Sequence, residues 1–182
     1  MAAWRDLVAE KPGSTFSIRE ITDRAEVSVG TFYCHFRDKG ALTEEVALDC
    51  FAKLVRELER IPQRVQEDFE SRIQAAVEVL VDFAEHRPKE LTFLFHMSSS
   101  ETEEGQEFLA VWQQFWDEQI ETLVSGYLAD HPLHPDIVPA VAGRASWGAG
   151  EKVLSWWMRN PRRLSRKSLV RSLTRILVHG YC

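Results

Sequence analysis

Cysteine is scarce in this chain. Of 182 residues only Cys34, Cys50 and Cys182 carry thiols, and their spacing fits neither a metal site nor a dithiol motif. Free thiols in a reducing cytoplasm are the expectation. Cys34 has His35 beside it but no resolving cysteine, which weighs against a redox switch. Long apolar runs are missing as well. No stretch reaches the roughly 18 residues that a membrane-spanning helix needs, so no membrane partner is expected. The first residues, MAAWRDLVAEK, have charges scattered among their apolar positions and do not read as a secretory leader. Nine glycines and seven prolines mostly punctuate, no strand-like alternation persists, and no internal repeat or low-complexity segment is present. A nucleophile–base motif and a phosphate loop are absent too. His131 and His134 in HPLHP have no cysteine or third histidine near them. The chain is therefore not expected to be an enzyme, to hold a metal or to carry a cofactor.

What is present is an ordinary soluble composition, 45% hydrophobic and 27% charged, in a chain long enough for one generous domain or two small ones. The net charge of −6 does not advertise a nucleic-acid binder, but its distribution is uneven. Residues 1–60 hold nine Lys and Arg against eleven Asp and Glu. Residues 61–151 hold five against seventeen. Residues 152–182 hold eight and no acid. A basic tail suggests nucleic acid. The alternative is that it balances the acidic middle within one fold, with Arg162, Arg163, Arg166, Lys167, Arg171 and Arg175 as a solvated rim.

Nearly everything reads as helix. Residues 2–10 form a short amphipathic helix with Trp4, Leu7 and Val8 on one side. Ser17 followed by Glu20 is a capping box, with Phe16 and Ile21 as its hydrophobic staple, and predicts a helix over 17–25. Ser28 caps a second short helix to about Phe36, with Val27 and Phe32 as staple. Asp38 caps a long third helix through Leu42, Val46, Phe51, Leu54, Val55 and Leu58 to Pro62. Further helices are expected from about Asp68 to His86, from Pro88 to near Ser98, from about Thr102 to Leu128, from Asp136 to about Met158, and from Ser165 to about His179.

Two short helices joined by a tight turn and followed by a long one form a helix-turn-helix arrangement. The second helix of such a unit enters the DNA major groove by its N-terminal residues. In SVGTFYCHFRDK, residues 28–39, Phe32 and Phe36 lie four apart and face the core. Val29, Gly30, Thr31, Cys34 and His35 populate the other side. Gly30 allows a close backbone approach, Tyr33 and His35 can donate to phosphate, and Lys39 begins the next helix. The bland alternative is a small aromatic core with a solvated polar face.

IREITDRAEVSVGTFYCHFRDKGAL closely resembles the DNA-binding region of the TetR (tetracycline-repressor-like) family of bacterial transcription regulators. Ile21, Ala25, Val27, Ser28, Gly30, Thr31, Tyr33, His35, Phe36 and Lys39 occupy that pattern's positions. There are departures. Glu26 stands where the family often has glycine, Thr22 replaces an alanine, KPGSTF is an atypical loop, and the first helix starts almost at Met1, a turn or more short.

The resemblance implies an all-α fold. Residues 1–45 would be a three-helix helix-turn-helix DNA-binding domain. Residues 46–182 would be a helical bundle that forms a homodimer, through its last two helices, and a ligand pocket. Its partners would be a double-stranded DNA operator and a small-molecule effector, in the bacterial cytoplasm. The candidate DNA-binding residues are Ser17, Arg19, Ser28, Val29, Gly30, Thr31, Tyr33, Cys34, His35 and Lys39. Arg19 could read a base edge, or clamp a phosphate, or pair with Asp23 one turn on. The candidate effector-lining residues are Phe93, Phe95, Met97, Phe108, Trp112, Phe115, Trp116 and Trp147, with His96, Gln113 and Arg144 as polar anchors. The alternative is that this aromatic stripe is core. The small residues of AVAGRASWGAG, 140–150, and the stripe Leu169, Leu173, Ile176 and Leu177 would serve the dimer. The small residues could equally pack within the subunit. These features favour a ligand-responsive transcriptional repressor. The rival is a helical small-molecule-binding or interaction protein that has lost DNA binding, supported by the acidic balance of residues 1–60.

Overall fold

The computed structural model describes residues 1–11, 14, 16–61, 69–98, 106, 109–118 and 138–180. Among these residues the chain is all helical, with no strand. The elements are α1 (Ala2–Glu10), α2 (Ile18–Arg24), α3 (Val29–His35), α4 (Lys39–Leu58), α5 (Phe69–His86), α6 (Pro88–Ser98), α7 (109–118), α8 (Pro139–Arg159) and α9 (Arg166–His179). Within the described residues no helix is long and apolar enough to cross a membrane, and no group of three metal-ligating side chains gathers.

The chain divides into two compact units. One comprises Met1–Leu54 with Arg87–Trp112, the other Val55–His86 with Gln113–Cys182. The first unit therefore contains α1–α3, most of α4, and α6. Its core gathers Trp4 and Val8 of α1, Phe16 and Ile21 at the start of α2, and Phe32 of α3. Leu42, Val46, Ala47, Cys50 and Leu54 of α4 and Leu91, Phe93, Leu94, Phe95 and Met97 of α6 complete it. α6 lies against α1. Trp4 meets Phe93 edge-on at 6.4 Å, Arg5 Nη1 donates to Glu90 Oε1 at 3.0 Å, and Lys89 Nζ lies 3.1 Å from Asp6 Oδ2. Burial works to raise the Asp6 carboxyl, but the hydrogen bonds from Lys89 and Arg5 outweigh it and hold it below its ordinary value. Cys50 is enclosed in α4, where burial pushes its thiol up to about 12 and so keeps it unreactive.

The local signals of the first unit operate as their chemistry dictates. Ser17 Oγ accepts the Glu20 N–H at 3.2 Å, and the Ser17 N–H and hydroxyl both donate to Glu20 Oε2 at 2.8 Å. The backbone bond from Ser17, then its hydroxyl, holds the Glu20 carboxyl below its usual range. α2 ends on paired reverse bonds, Val27 N–H to the Thr22 carbonyl and Glu26 N–H to the Asp23 carbonyl. This closure requires a left-handed residue at position 26, and Glu26 adopts φ 56°. A side chain there costs about 1 kcal/mol that glycine would not. Asp38 Oδ1 accepts the Ala41 N–H at 2.8 Å and starts α4.

In the second unit α5 packs along α9 and touches α8. Val77, Val81, Phe83 and Ala84 of α5, Leu154 and Trp157 of α8, and Leu169, Val170, Leu173 and Val178 of α9 are buried. Ser165 caps α9, accepting the Ser168 N–H at 3.2 Å, and Trp157 Nε1 donates to the Leu164 carbonyl at 2.8 Å just before it. The α9 stripe is split. Leu169 and Leu173 are buried within the chain, Leu177 is half-buried, and Ile176 is 54% exposed. Arg166 is bound on α5 by Asp82, with Glu85 beside it, and these acids raise its guanidinium further above the ordinary value.

Candidate nucleic-acid interface

α3 buries one residue, Phe32. Its ring lies edge-on to Tyr33 at 5.3 Å and tilted on Phe36 at 5.6 Å. Val29, Gly30, Thr31, Tyr33, Cys34 and His35 are all exposed, Tyr33 by 56%. Ser28 Oγ accepts the Thr31 N–H at 3.0 Å and lies 2.9 Å from the Thr31 hydroxyl, which fixes the first turn. A helix anchored by a single aromatic and bare elsewhere presents nearly its whole circumference to an external surface. A Cβ placed on Gly30 would meet only Ser28 Oγ, at an ordinary 3.5 Å. The fold itself does not require glycine there. The Val27–Phe32 staple is one-sided, since Val27 remains 42% exposed while Phe32 is buried.

On α2, Arg19 is exposed and its Nε stands 3.9 Å from Asp23 Oδ2. That long, solvated pair is weak and releasable. Ser17 spends its hydroxyl on the capping box. Lys39 differs from the rest of the set in being half-buried. Its Nζ donates to the Phe16 carbonyl at 3.4 Å and sits 5.8 Å from the centre of the Trp4 indole. The surroundings of Lys39 were not visible to sequence reasoning. They depend on a contact across 39 residues, the Trp4 N–H to the Thr43 hydroxyl, that no local signal announces.

The predicted effector-lining residues fall into two groups. Phe93, Phe95, Met97 and Trp112 are core of the first unit, and Phe51 tilts on Trp112 at 5.2 Å. Phe115, Trp116 and Trp147 are half-buried in the second unit, where Trp116 and Trp147 stack at 4.1 Å and Phe115 meets Trp116 edge-on at 5.2 Å. Phe108 lies outside the described residues, as do Cys182, His131 and His134. Of the polar anchors, Arg144 Nη2 is 2.8 Å from Asp117 Oδ2, Gln113 is exposed, and His96 is half-buried with its imidazole held below the ordinary value by burial. A cavity of about 490 Å³ in the second unit lies between α5 and α9, among Glu70, Gln74, Glu78, Arg166, Arg171 and Thr174, and none of the predicted effector residues lines it.

Comparison with known proteins agrees with this geometry. Residues 1–46 match the family described as bacterial regulatory proteins, tetR family. No curated protein is significantly similar to the chain in sequence. Several solved structures share the fold over nearly the whole length. A TetR-like transcriptional regulator from Rhodococcus sp. RHA1 superposes with a TM-score of 0.76 at 18% identity, covering 98% of this chain and 91% of that one. The regulator FadR from Bacillus subtilis, in complex with stearoyl-CoA, does so with 0.73 at 14% identity, covering 98% and 96%. NalD from Pseudomonas aeruginosa, the secondary repressor of the MexAB-OprM multidrug efflux pump, gives 0.69 at 24% identity, covering 98% and 93%. The family is the one that the helix-turn-helix residues resemble, and the all-helical architecture is its fold.

Proposed function

Starting from a chain with the TetR fold and a TetR-family DNA-binding segment, we propose that it is a homodimeric repressor in the bacterial cytoplasm, released from its operator by a small apolar or aromatic effector. The observation that carries this reading is the bare surface of α3, where every residue but Phe32 is exposed. Val29, Gly30, Thr31 and Cys34 then meet base edges and groove walls. Tyr33, His35 and Lys39 hold phosphates, and Ser17 and Arg19 approach from α2. An α-helix of this width fits the major groove, where each base pair presents a distinct pattern of donors and acceptors.

Dimerisation through α8 and α9 is supported by what the protomer leaves open. Val141 is 63% exposed, Val138, Trp156 and Ile176 are also exposed, and a Cβ on Gly148 or Gly150 would meet nothing within 4 Å. Small residues facing open space suit a close helix–helix approach by a second copy. Light scattering at micromolar concentration should then give twice 21.0 kDa. A monomer would remove the two-half-site model.

The effector reading rests on the half-buried aromatic cluster of the second unit, Phe115, Trp116 and Trp147, since the other described candidates are packed into the core of the first. Ligand sites are largely apolar with few polar anchors. The descriptions of FadR with stearoyl-CoA and of NalD as an efflux-pump repressor support a ligand-released regulator. A ligand acts only by favouring the conformer that does not bind DNA. A gel shift on the DNA upstream of the protein's own coding sequence tests the function. Retardation at sub-micromolar protein, reversed by a ligand that also quenches tryptophan fluorescence, is expected. Absence of any DNA binding would leave the rival reading, a helical binding protein.

A further inference from the structure

Lys39 is the one member of the DNA-facing set that is half-buried, and the reason lies in α1. Trp4 is 6% exposed, and its indole is fixed on several sides. The Nε1–H donates to Thr43 Oγ1 at 3.0 Å, in a buried bond across 39 residues of sequence. The Thr43 hydroxyl in turn donates to the Lys39 carbonyl at 2.7 Å. Phe16 lies edge-on to the indole at 5.9 Å and Phe93 at 6.4 Å. Over this ring stands the Lys39 ammonium, 5.8 Å from its centre, with one N–H directed to the Phe16 carbonyl at 3.4 Å.

We infer that Trp4 is a positioning residue for DNA binding, holding the Lys39 ammonium in place before a phosphate arrives. This rests on the reading of Lys39 as a phosphate contact. A lysine free in solvent loses its rotamer freedom when it binds, whereas one already held against an aromatic face has surrendered most of it on folding. The ammonium has three donors. The Phe16 carbonyl takes one at the long distance of 3.4 Å, and the indole face attracts the charge without consuming a donor. Donors therefore remain for a phosphate oxygen. The hydrogen bonds Trp4–Thr43–Lys39 tie the indole to the first turn of α4, so ring and ammonium keep their register. Trp4 does not touch DNA in this account and acts through Lys39.

The test is a double-mutant cycle on a labelled mixed-sequence duplex at low salt, using the full chain and fluorescence anisotropy. Phosphate contacts are made to any sequence, so no operator is needed. Trp4→Leu should weaken binding by about 3- to 10-fold, as expected of losing one cation–aromatic and ordering contribution. In the Lys39→Ala background Trp4→Leu should have no further effect. Trp4→Phe, which keeps an aromatic face, should recover most of the loss. Equal losses in both backgrounds would make Trp4 a purely structural residue and overturn the inference, as would unchanged binding by Trp4→Leu alone. If Lys39→Ala itself leaves affinity and salt dependence unchanged, the phosphate role of Lys39 fails and the inference falls with it, a result separable from additivity. If Trp4→Leu does not fold by circular dichroism, Thr43→Val replaces it. It removes the acceptor of the indole and must show the same non-additivity.

Discussion

α3 and α9 are capped alike and covered differently. Each is short, each starts on a serine cap whose Oγ accepts the N–H three residues on, and each shows a polar face to solvent. By composition α9 is the nucleic-acid helix. It carries Arg166, Lys167, Arg171 and Arg175, while α3 contains no Lys or Arg at all. The structure separates charge from the share of each helix left uncovered. Arg166 is taken by Asp82 and Glu85 of α5, and α9 buries Leu169, Val170, Leu173, Thr174 and Val178 along its length. α3 buries Phe32 alone and leaves six of its seven residues exposed. Lys167, Arg171 and Arg175 stay exposed, so what separates the two helices is how much of each is spent on packing. On the proposed reading it is the neutral but uncovered helix, with Lys39 beside it, that meets DNA.

The comparison breaks most sharply through the anchors. Phe32→Ala should cost about 3–5 kcal/mol, the usual range for a buried phenylalanine, and should abolish DNA binding, because it removes the only buried side chain of α3. Leu173→Ala should cost a comparable ~2–5 kcal/mol through α5–α9 packing. Its DNA affinity per folded molecule should be unchanged in the monomeric binding step. Urea unfolding and anisotropy on the same variants check both.

A smaller effect sharpens the division between reading and clamping. Arg19→Ala should cost ~1–3 kcal/mol on operator DNA and leave mixed-sequence DNA nearly unaffected, if the guanidinium leaves Asp23 for a guanine edge. Equal losses on both duplexes would make it a phosphate clamp. Gly30→Ala separates stability from function. Alanine fits the space and should stabilise the fold by about 0.5–1 kcal/mol, since it is the better helix former. The same methyl should weaken DNA binding by holding the α3 backbone off the groove. Thermal unfolding and anisotropy should therefore move in opposite directions.

The smallest expected effect concerns pH. The Asp6 carboxyl is held below its ordinary 3.8 by Lys89 and Arg5. A depressed carboxyl contributes stability that is complete above its unfolded value and disappears as pH falls through the lower folded one. Between pH 7 and 5 Asp6→Asn should show a constant deficit of roughly 0.2–1 kcal/mol, typical of partly exposed pairs. Below about pH 4 the wild type should converge on the variant. Denaturant midpoints at pH 7, 4 and 3 test the convergence.

Helices α2, α3 and α4 were legible because their signals are local. Ser17 with Glu20, Ser28 with Thr31, and Asp38 with Ala41 each close within one turn, and the strain expected of Glu26 appears as a φ of 56°. What joins α1 to α6 was not legible. Arg5 pairs with Glu90 across 85 residues, and nothing near either residue announces it. Periodicity likewise gave the α9 stripe but not its covering. Leu169 and Leu173 turn to the core of their own unit while Ile176 stays out, a distinction set by where α5 lies. The apolar residues expected to line an effector site obey the same limit. Spacing marks them as apolar, yet Phe93, Phe95, Met97 and Trp112 are core of one unit, and Phe115, Trp116 and Trp147 cluster in the other.

The central claim is that the exposed face of the helix-turn-helix, and not the basic stretch of α9, is the surface that meets DNA. One anisotropy titration tests it directly, comparing Lys39→Ala with the double variant Arg171→Ala/Arg175→Ala on the duplex from upstream of the protein's own coding sequence, at two salt concentrations. Lys39→Ala should weaken binding and reduce the slope of log affinity against log salt by about one, as for the loss of one phosphate contact. The α9 double variant, with two cations removed, should retain both affinity and slope. A slope lowered by about two in the α9 variant, with Lys39→Ala indistinguishable from wild type, would contradict the account.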